Sequence, residues 1–354
     1  MAWSAKELAI SCLAGATHFS GLAGPVRRLT RSKIPILTYH SVSTPEGDVP
    51  SCLDLTRMRV TPREFRRQME YVARHYNTVT LEAVLLSRSS ESALPPHSCV
   101  ITFDDGYLDV YENAVPVLEE FGLKATFFVI GRPTASRELP GLHAVHEILD
   151  RAPVTRCVSA FRKAAPDFFS TGSATKNDLC QRVSHYFFEW DRSTRIRFLD
   201  VVRAELGSET TRVYRFMEDR HIRELRDRGF EIGCHSMDHE HMTQLSDDEL
   251  RADLRQSREV LGGLLGGAPS LFCYPFGNFD ARVIEALKRE GFACACTTTS
   301  GLNDQSTNPF ALYRVGVYTG TNFPLFVFRL VGLEARSRQL YKLFKSALAR
   351  KGLN

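Results

Sequence analysis

No stretch of this chain is apolar for long enough to cross a bilayer. The strongest candidate, Leu8 to Val26, is interrupted by His18 and several glycines. The same run lacks the clean apolar centre of a secretory signal. There is no internal repeat, no Gly-rich phosphate loop and no basic-aromatic array, which argues against solenoids, nucleotide cradles and nucleic-acid grooves. Charge of one sign is also scarce: the formal net charge is only +4, too mild to imply nucleic acid as a partner. Histidine is absent after His241, so any imidazole chemistry has to come from earlier in the chain. Cysteine, by contrast, is plentiful. Nine thiols cannot all pair, and Cys99, Cys234, Cys273, Cys294 and Cys296 sit in apolar runs where Cys behaves as a small hydrophobe. Cys294-Ala295-Cys296 lacks zinc-ribbon spacing. The thiols read as reduced core residues, which favours a cytoplasmic setting. Hydrophobic and charged fractions of 43% and 24% are those of an ordinary globular protein, and 354 residues suffice for one barrel with an insertion or for two modest domains.

What is present begins with Val100-Ile101-Thr102-Phe103-Asp104-Asp105-Gly106, a short buried strand ending in turn chemistry. Successive side chains on an extended chain point to opposite sides, so Asp104 and Asp105 are expected to do different jobs. Taken alone, the pair also fits a turn that caps the following helix. A second strand, Gly229 to Cys234, ends in His235-Ser236-Met237-Asp238-His239. Two His four apart converge if the chain turns into a helix there, and with one carboxylate they leave coordination positions open on a metal. The bland alternative is a pair of polar loop histidines, with His241 a bystander. A third strand, Leu271-Phe272-Cys273-Tyr274, breaks at Pro275-Phe276-Gly277, and Asp280 is placed to cap a helix through Val283, Ile284 and Leu287. Three strands, each ending in site-like chemistry before a helical pattern, predict an α/β sheet or barrel with its site at the carboxyl ends of the strands.

These segments resemble the polysaccharide deacetylase family (carbohydrate esterase family 4). Its Thr-Phe-Asp-Asp-Gly motif is matched by Thr102 to Gly106, and its His-Ser/Thr-x-x-His motif by His235 to His239; Lys124 to Val129 matches the strand that follows the first motif. The resemblance implies an irregular (β/α) barrel, with a largely helical insertion in this chain. It implies a divalent metal, zinc above all, with Co2+, Ni2+ or Fe2+ as alternatives, on Asp105, His235 and His239. It makes Asp104 the base that deprotonates a metal-activated water. The backbone N–H of Phe276, within Tyr274-Pro275-Phe276, would help hold the oxyanion. The implied reaction removes an N-acetyl group from an amino sugar in a polysaccharide, an oligosaccharide or a lipid- or nucleotide-linked intermediate.

Three family features are missing. Cys273 stands where the family carries an Arg that pairs with the base, and Arg314 is the candidate replacement, with an ordinary barrel-rim arginine as the other reading. The Trp of the fourth motif is absent from Cys294 to Thr299. The C-terminal Leu-x-His that supplies the general acid is also absent. In a closed barrel the first and last strands are neighbours, so His40, ending Ile34 to Tyr39, is the candidate acid; a structural hydrogen-bonder is the alternative.

The chain divides into a basic amphipathic segment (1–33), barrel sequence (34–130), a helical insertion serving as a lid or substrate wall (131–215), further barrel (216–320) and a basic amphipathic C-terminal helix (321–354). That last helix carries the stripe Leu340, Leu343, Phe344 and Ala347. Both termini fit docking on the barrel, with peripheral membrane contact left open. Thr61-Pro62-Arg63-Glu64 and Ser246 to Glu249 are capping boxes. His143 and His146 in the insertion read as surface histidines. Besides the deacetylase, hydrolysis of a cyclic or linear non-sugar amide and non-catalytic carbohydrate binding stay open. Oligomeric state is not encoded in any motif.

Overall fold

The computed structural model describes residues 5–45, 51–52, 56–89, 93–169, 175–207 and 214–335. Its strands in chain order are β1 (Ile36–Tyr39), β2 (Ser41–Val42), β3 (Arg59–Val60), β4 (Asn77–Thr78), β5 (Ser98–Phe103), β6 (Thr126–Val129), β7 (Glu231–Cys234), β8 (Leu271–Cys273), β9 (Cys294–Ser300) and β10 (Leu312–Gly316). The order β1-β10-β9-β8-β7-β6-β5 closes on itself because β5 also pairs with β1, Ile36 opposite Val100 and Tyr39 opposite Phe103. Every pairing in this ring is parallel. The expected (β/α) barrel is therefore present as seven parallel strands. Its irregularity lies in a register shift between Leu312 and Arg314, a small separate β2–β3 sheet, and β4 added beside the start of β5.

Closure turns strand alternation into two separate cores. Ile36, Val100, Phe128, Leu271, Cys294, Cys296 and Leu312 pack together, whereas their strand neighbours Leu37, Ile101, Phe127, Phe272 and Ala295 belong to the layer beneath the helices. The inward thiols are thus filler for a narrow interior, as their apolar context predicts. Gly233 is small for the same reason: a Cβ there would lie 2.7 Å from the Phe128 ring and 3.0 Å from the Leu271 carbonyl oxygen.

The outer helices begin where local chemistry predicts. Thr61 and Glu64 form a capping box at Pro62–His75, Ser246 and Glu249 another at Asp247–Leu265, and Asp280 accepts from the Val283 N–H at Ala281–Arg289. The insertion is helical: Gly141–Arg151, Val154–Ala164, Pro166–Phe169, Lys176–Glu189 and Arg192–Leu206 surround a core of their own that includes Val145, Phe161, Val183, Trp190 and Phe198. Cys52, from the segment after β2, also belongs to that core.

At the N-terminus, helix Ala5–Phe19 docks on Phe323–Leu330, burying Ala14 against Leu325 and Phe328. The basic stripe from Arg336 to Lys351, with Leu340, Leu343, Phe344 and Ala347, lies outside the described residues. Among the described residues, no helix is long and apolar enough to cross a membrane.

Gly233→Val should destabilise the fold by about 1–3 kcal/mol through overpacking of the barrel interior. Urea denaturation checks this, and an unchanged midpoint would mean that Phe128 can retreat at no cost.

Candidate active site

In a closed parallel barrel all carboxyl ends open on one side, which is why residues far apart in sequence meet there. His40 follows β1, Asp104 follows β5, His235 follows β7, Tyr274 follows β8, and Arg314 lies within β10.

The Asp104 carboxylate is gripped at both oxygens by Arg314, Nη1 to Oδ1 at 2.8 Å and Nη2 to Oδ2 at 2.7 Å. Arg314 is only 2% exposed, and its Nε donates to the Thr297 carbonyl oxygen at 2.7 Å. A two-point guanidinium–carboxylate fork sets both the position and the plane of the carboxyl group. Burial pushes the Asp104 pKa up, but the Arg314 charge and hydrogen bonds outweigh that and hold it below the usual carboxylate range. Cys273 approaches the same group, Sγ to Oδ2 at 3.7 Å. His40 Nε2 stands 3.8 Å from Asp104 Oδ2, and its Nδ1 is buried without a hydrogen-bond partner. The strand neighbourhood expected for His40 is present: β1 lies between β5 and β10.

Asp105 points elsewhere, as alternation implies. Its Oδ1 lies 3.3 Å from His235 Nε2 and 3.4 Å from His239 Nε2. The three donors lie within 4.8 Å of one another. His235 Nδ1 faces the Cys273 carbonyl oxygen at 2.8 Å, which sets that nitrogen as the N–H and leaves the Nε2 lone pair turned to the cluster. Asp105 Oδ1 is buried and accepts no hydrogen bond. Such an oxygen beside two imidazole nitrogens is the donor set of a divalent cation site with open positions, so these residues fit the expected metal. Burial raises the Asp105 pKa, yet the surrounding imidazoles bring it well below the normal value; burial dominates at His239 and drives its pKa far down. At His235 the hydrogen bond and charge of Asp105, with the charge of Asp104, outweigh burial and raise the pKa.

No helix begins at His235; the first helical turn after β7 starts at Met242. His235 and His239 instead converge through a bend in which Ser236 (φ 62°) and His239 (φ 54°) are left-handed, as are Asp105 (φ 70°) and Phe276 (φ 59°). The bend is pinned from outside. Met237 and Asp238 N–H groups donate to the two oxygens of Asp253 at 3.0 and 3.3 Å, His239 N–H donates to Ser236 Oγ at 2.8 Å, and Arg132 forks onto Asp238. Asp253 lay hidden in sequence because it sits within an ordinary amphipathic helix.

Of the Tyr274-Pro275-Phe276 segment, only Phe276 reaches the cluster, its ring 4.5 Å from that of His239. Tyr274 points into the layer under the helices, fully buried, and its hydroxyl donates to the Phe310 carbonyl oxygen at 3.0 Å. His241 is no bystander: it stacks on Phe276 at 4.2 Å and is held near Asn278.

His143 and His146 are buried, contrary to the sequence expectation. His143 is 6% and His146 5% exposed. Tyr107 OH lies 2.8 Å from His143 Nε2, and the His143 ring is 5.3 Å from that of His239. Burial lowers the His143 pKa to about 4, so it is neutral here. The insertion therefore supplies part of the site wall. Tyr107, directly after Asp-Asp-Gly, was the available signal.

Comparison with known proteins agrees with this geometry. The family profile described as polysaccharide deacetylase matches residues 91–160 and 168–295. YxkH of Bacillus subtilis (strain 168), whose name places it with the polysaccharide deacetylases, is 22% identical over 82% of this chain and 73% of its own length. The poly-beta-1,6-N-acetyl-D-glucosamine N-deacetylase of Escherichia coli (strain K12) is 21% identical over 80% of this chain, which spans only 37% of that protein. Among solved structures, the Streptococcus pyogenes deacetylase PplD in complex with acetate superposes with a TM-score of 0.56 at 17% identity, covering 84% of this chain and 98% of that one. IcaB from Ammonifex degensii superposes with a TM-score of 0.55 at 18% identity, covering 85% and 98%. These likenesses establish the barrel.

Arg314→Met should destabilise the protein by about 3–5 kcal/mol, because it leaves the Asp104 carboxylate buried and unpaired. Adding Asp104→Asn should recover part of that loss in urea denaturation; strictly additive losses would show that the pair is not coupled.

Proposed function

The chain belongs to the polysaccharide deacetylase family and is a deacetylase, and from that premise we propose that it hydrolyses the acetamide of N-acetylated amino sugars in a glycan, releasing acetate and a free amine. The observation that carries this reading is the division of labour between neighbouring carboxylates: Asp104 clamped by Arg314, Asp105 turned to His235 and His239. A polymer of N-acetylglucosamine is the substrate class supported by the names of two relatives, from Staphylococcus epidermidis and Escherichia coli.

Asp105, His235 and His239 would hold the divalent cation, with zinc the first candidate. When bound, it would polarise the acetyl carbonyl and lower the pKa of a water. Asp104, paired with Arg314, would take a proton from the attacking water as it adds to the carbonyl carbon. Phe276, whose left-handed backbone turns beside His239, offers its N–H to the developing oxyanion. As the C–N bond breaks, His40 hands a proton to the leaving nitrogen, from a position 3.8 Å from Asp104. No nucleophilic Ser or Cys enters, and the Cys273 thiol, raised far above its normal pKa chiefly by burial, stays neutral.

A reducing, cytoplasmic setting belongs to the same proposal, supported by the buried thiols Cys234, Cys273, Cys294 and Cys296. So does peripheral membrane contact: Phe19 (85% exposed), Leu29 (80%) and Leu22 (54%) stand out beside the exposed Arg28 and Arg31.

Acetate release from N-acetylglucosamine oligomers by metal-stripped protein re-loaded with zinc, cobalt, nickel or iron tests the reaction. Asp104→Asn should keep metal and lose about 10²–10⁴-fold in turnover, His40→Ala should lose a similar factor, and His235→Ala should lose metal as well. Equal metal loss in the Asp104 and His235 variants would sink the assignment; turnover only on non-sugar acetamides would move the substrate class. Separately, Phe19→Asp with Leu29→Asp should weaken cosedimentation with anionic lipid vesicles several-fold, and unchanged sedimentation would remove the membrane contact.

A further inference from the structure

A second cluster of metal-ligating side chains lies away from the reacting groups, where the insertion meets the barrel. Cys52 comes from the segment after β2, His146 from helix Gly141–Arg151 and Cys180 from helix Lys176–Glu189. Their ligand atoms lie within 4.8 Å of one another, and all three residues are buried, the two thiols at 0% exposure. The proposed reaction uses none of them.

We propose that Cys52, His146 and Cys180 form a second metal site, taking a thiophilic divalent cation of the zinc class and pinning the insertion to the barrel. Two thiolates and a neutral imidazole are donors of the right softness and charge for such an ion. The supporting shell is already built. The Tyr214 hydroxyl lies 3.4 Å from His146 Nδ1, leaving Nε2 to face Cys180 Sγ at 4.0 Å. Ser184 Oγ lies 2.9 Å from the same Nε2 and donates to the Cys180 carbonyl oxygen at 2.7 Å, so it stands beside the site as an oxygen donor once Nε2 gives up its proton. The Cys52 N–H donates to both oxygens of Asp150 at 3.0 and 3.1 Å, and Lys176 balances that carboxylate at 2.7 Å, so the backbone beside the first thiol is fixed. A disulfide between the two thiols would use neither the buried imidazole nor its tyrosine partner, which is why the geometry favours a metal.

The site has a route to the reacting groups. The Tyr214 ring lies 5.4 Å from that of His143 and 6.1 Å from that of Tyr107. Fixing His146 and Tyr214 therefore steadies the wall against which His239 packs.

The full chain, purified under reducing conditions and loaded with cobalt, should hold two ions and show a thiolate-to-cobalt charge-transfer band. That band should survive His235→Ala, which empties the first site, and Cys157→Ser, which alters a buried thiol in the same helical core. It should vanish, with one ion lost, in Cys180→Ser. Absence of the band from the unaltered chain, or its persistence in Cys180→Ser, would overturn the proposal without depending on whether a variant folds. Peptide mapping that finds Cys52 linked to Cys180 in the reduced, metal-loaded protein would overturn it as well. Failure of acetate release with both ions bound would count against the proposed reaction and leave this site standing.

Discussion

The buried fork between Arg314 and Asp104 is the interaction on which the rest of the site depends. It reaches from β10 past β1 to the end of β5, and it ties down a carboxylate that is only 2% exposed. An unpaired charge there would be protonated or would unfold the barrel mouth. The fork is available because Cys273 is small. A thiol at that position touches the Asp104 carboxylate yet leaves room for a guanidinium arriving from another strand. The cysteine on β8 and the arginine on β10 are thus two halves of one packing solution.

Around this anchor the backbone is held in conformations that non-glycine residues avoid. Four of the seven described non-glycine residues with positive φ, Asp105, Ser236, His239 and Phe276, belong to the site. Each costs about 1–3 kcal/mol in isolation and persists only where neighbours over-determine it. Here Asp253 and Arg132 brace the histidine bend, and a Cβ at Gly277 would fall 2.1 Å from Thr298 Oγ1, so the turn after Pro275 has no slack. The outcome is a cluster whose ligand directions are set before any ion or substrate arrives.

The insertion extends this logic outward. Its helices own a separate hydrophobic core, so they add a second folded layer beside the barrel. Contact with the site runs through His143, Tyr107 and Tyr214, a short aromatic chain with one hydrogen bond between Tyr107 and His143. Cys52 belongs to the insertion's core although it comes from barrel sequence, which makes that seam the natural place for a staple.

Local chemistry in the sequence settled where several elements begin and which side chains meet at the barrel mouth as candidates. Thr61, Ser246 and Asp280 cap helices where capping rules put them, and alternation separated Asp104 from Asp105 before any fold was known. These outcomes follow from interactions within a few residues, which a linear chain displays directly. Only the tertiary structure decided that Arg314 is Asp104's partner, that His40 stands beside it, that Tyr274 turns away, and that His143 and His146 are buried. Those facts depend on ring closure between β1 and β5 and on the docking of an independent helical layer. Both are long-range contacts whose partners share no spacing or pattern along the chain.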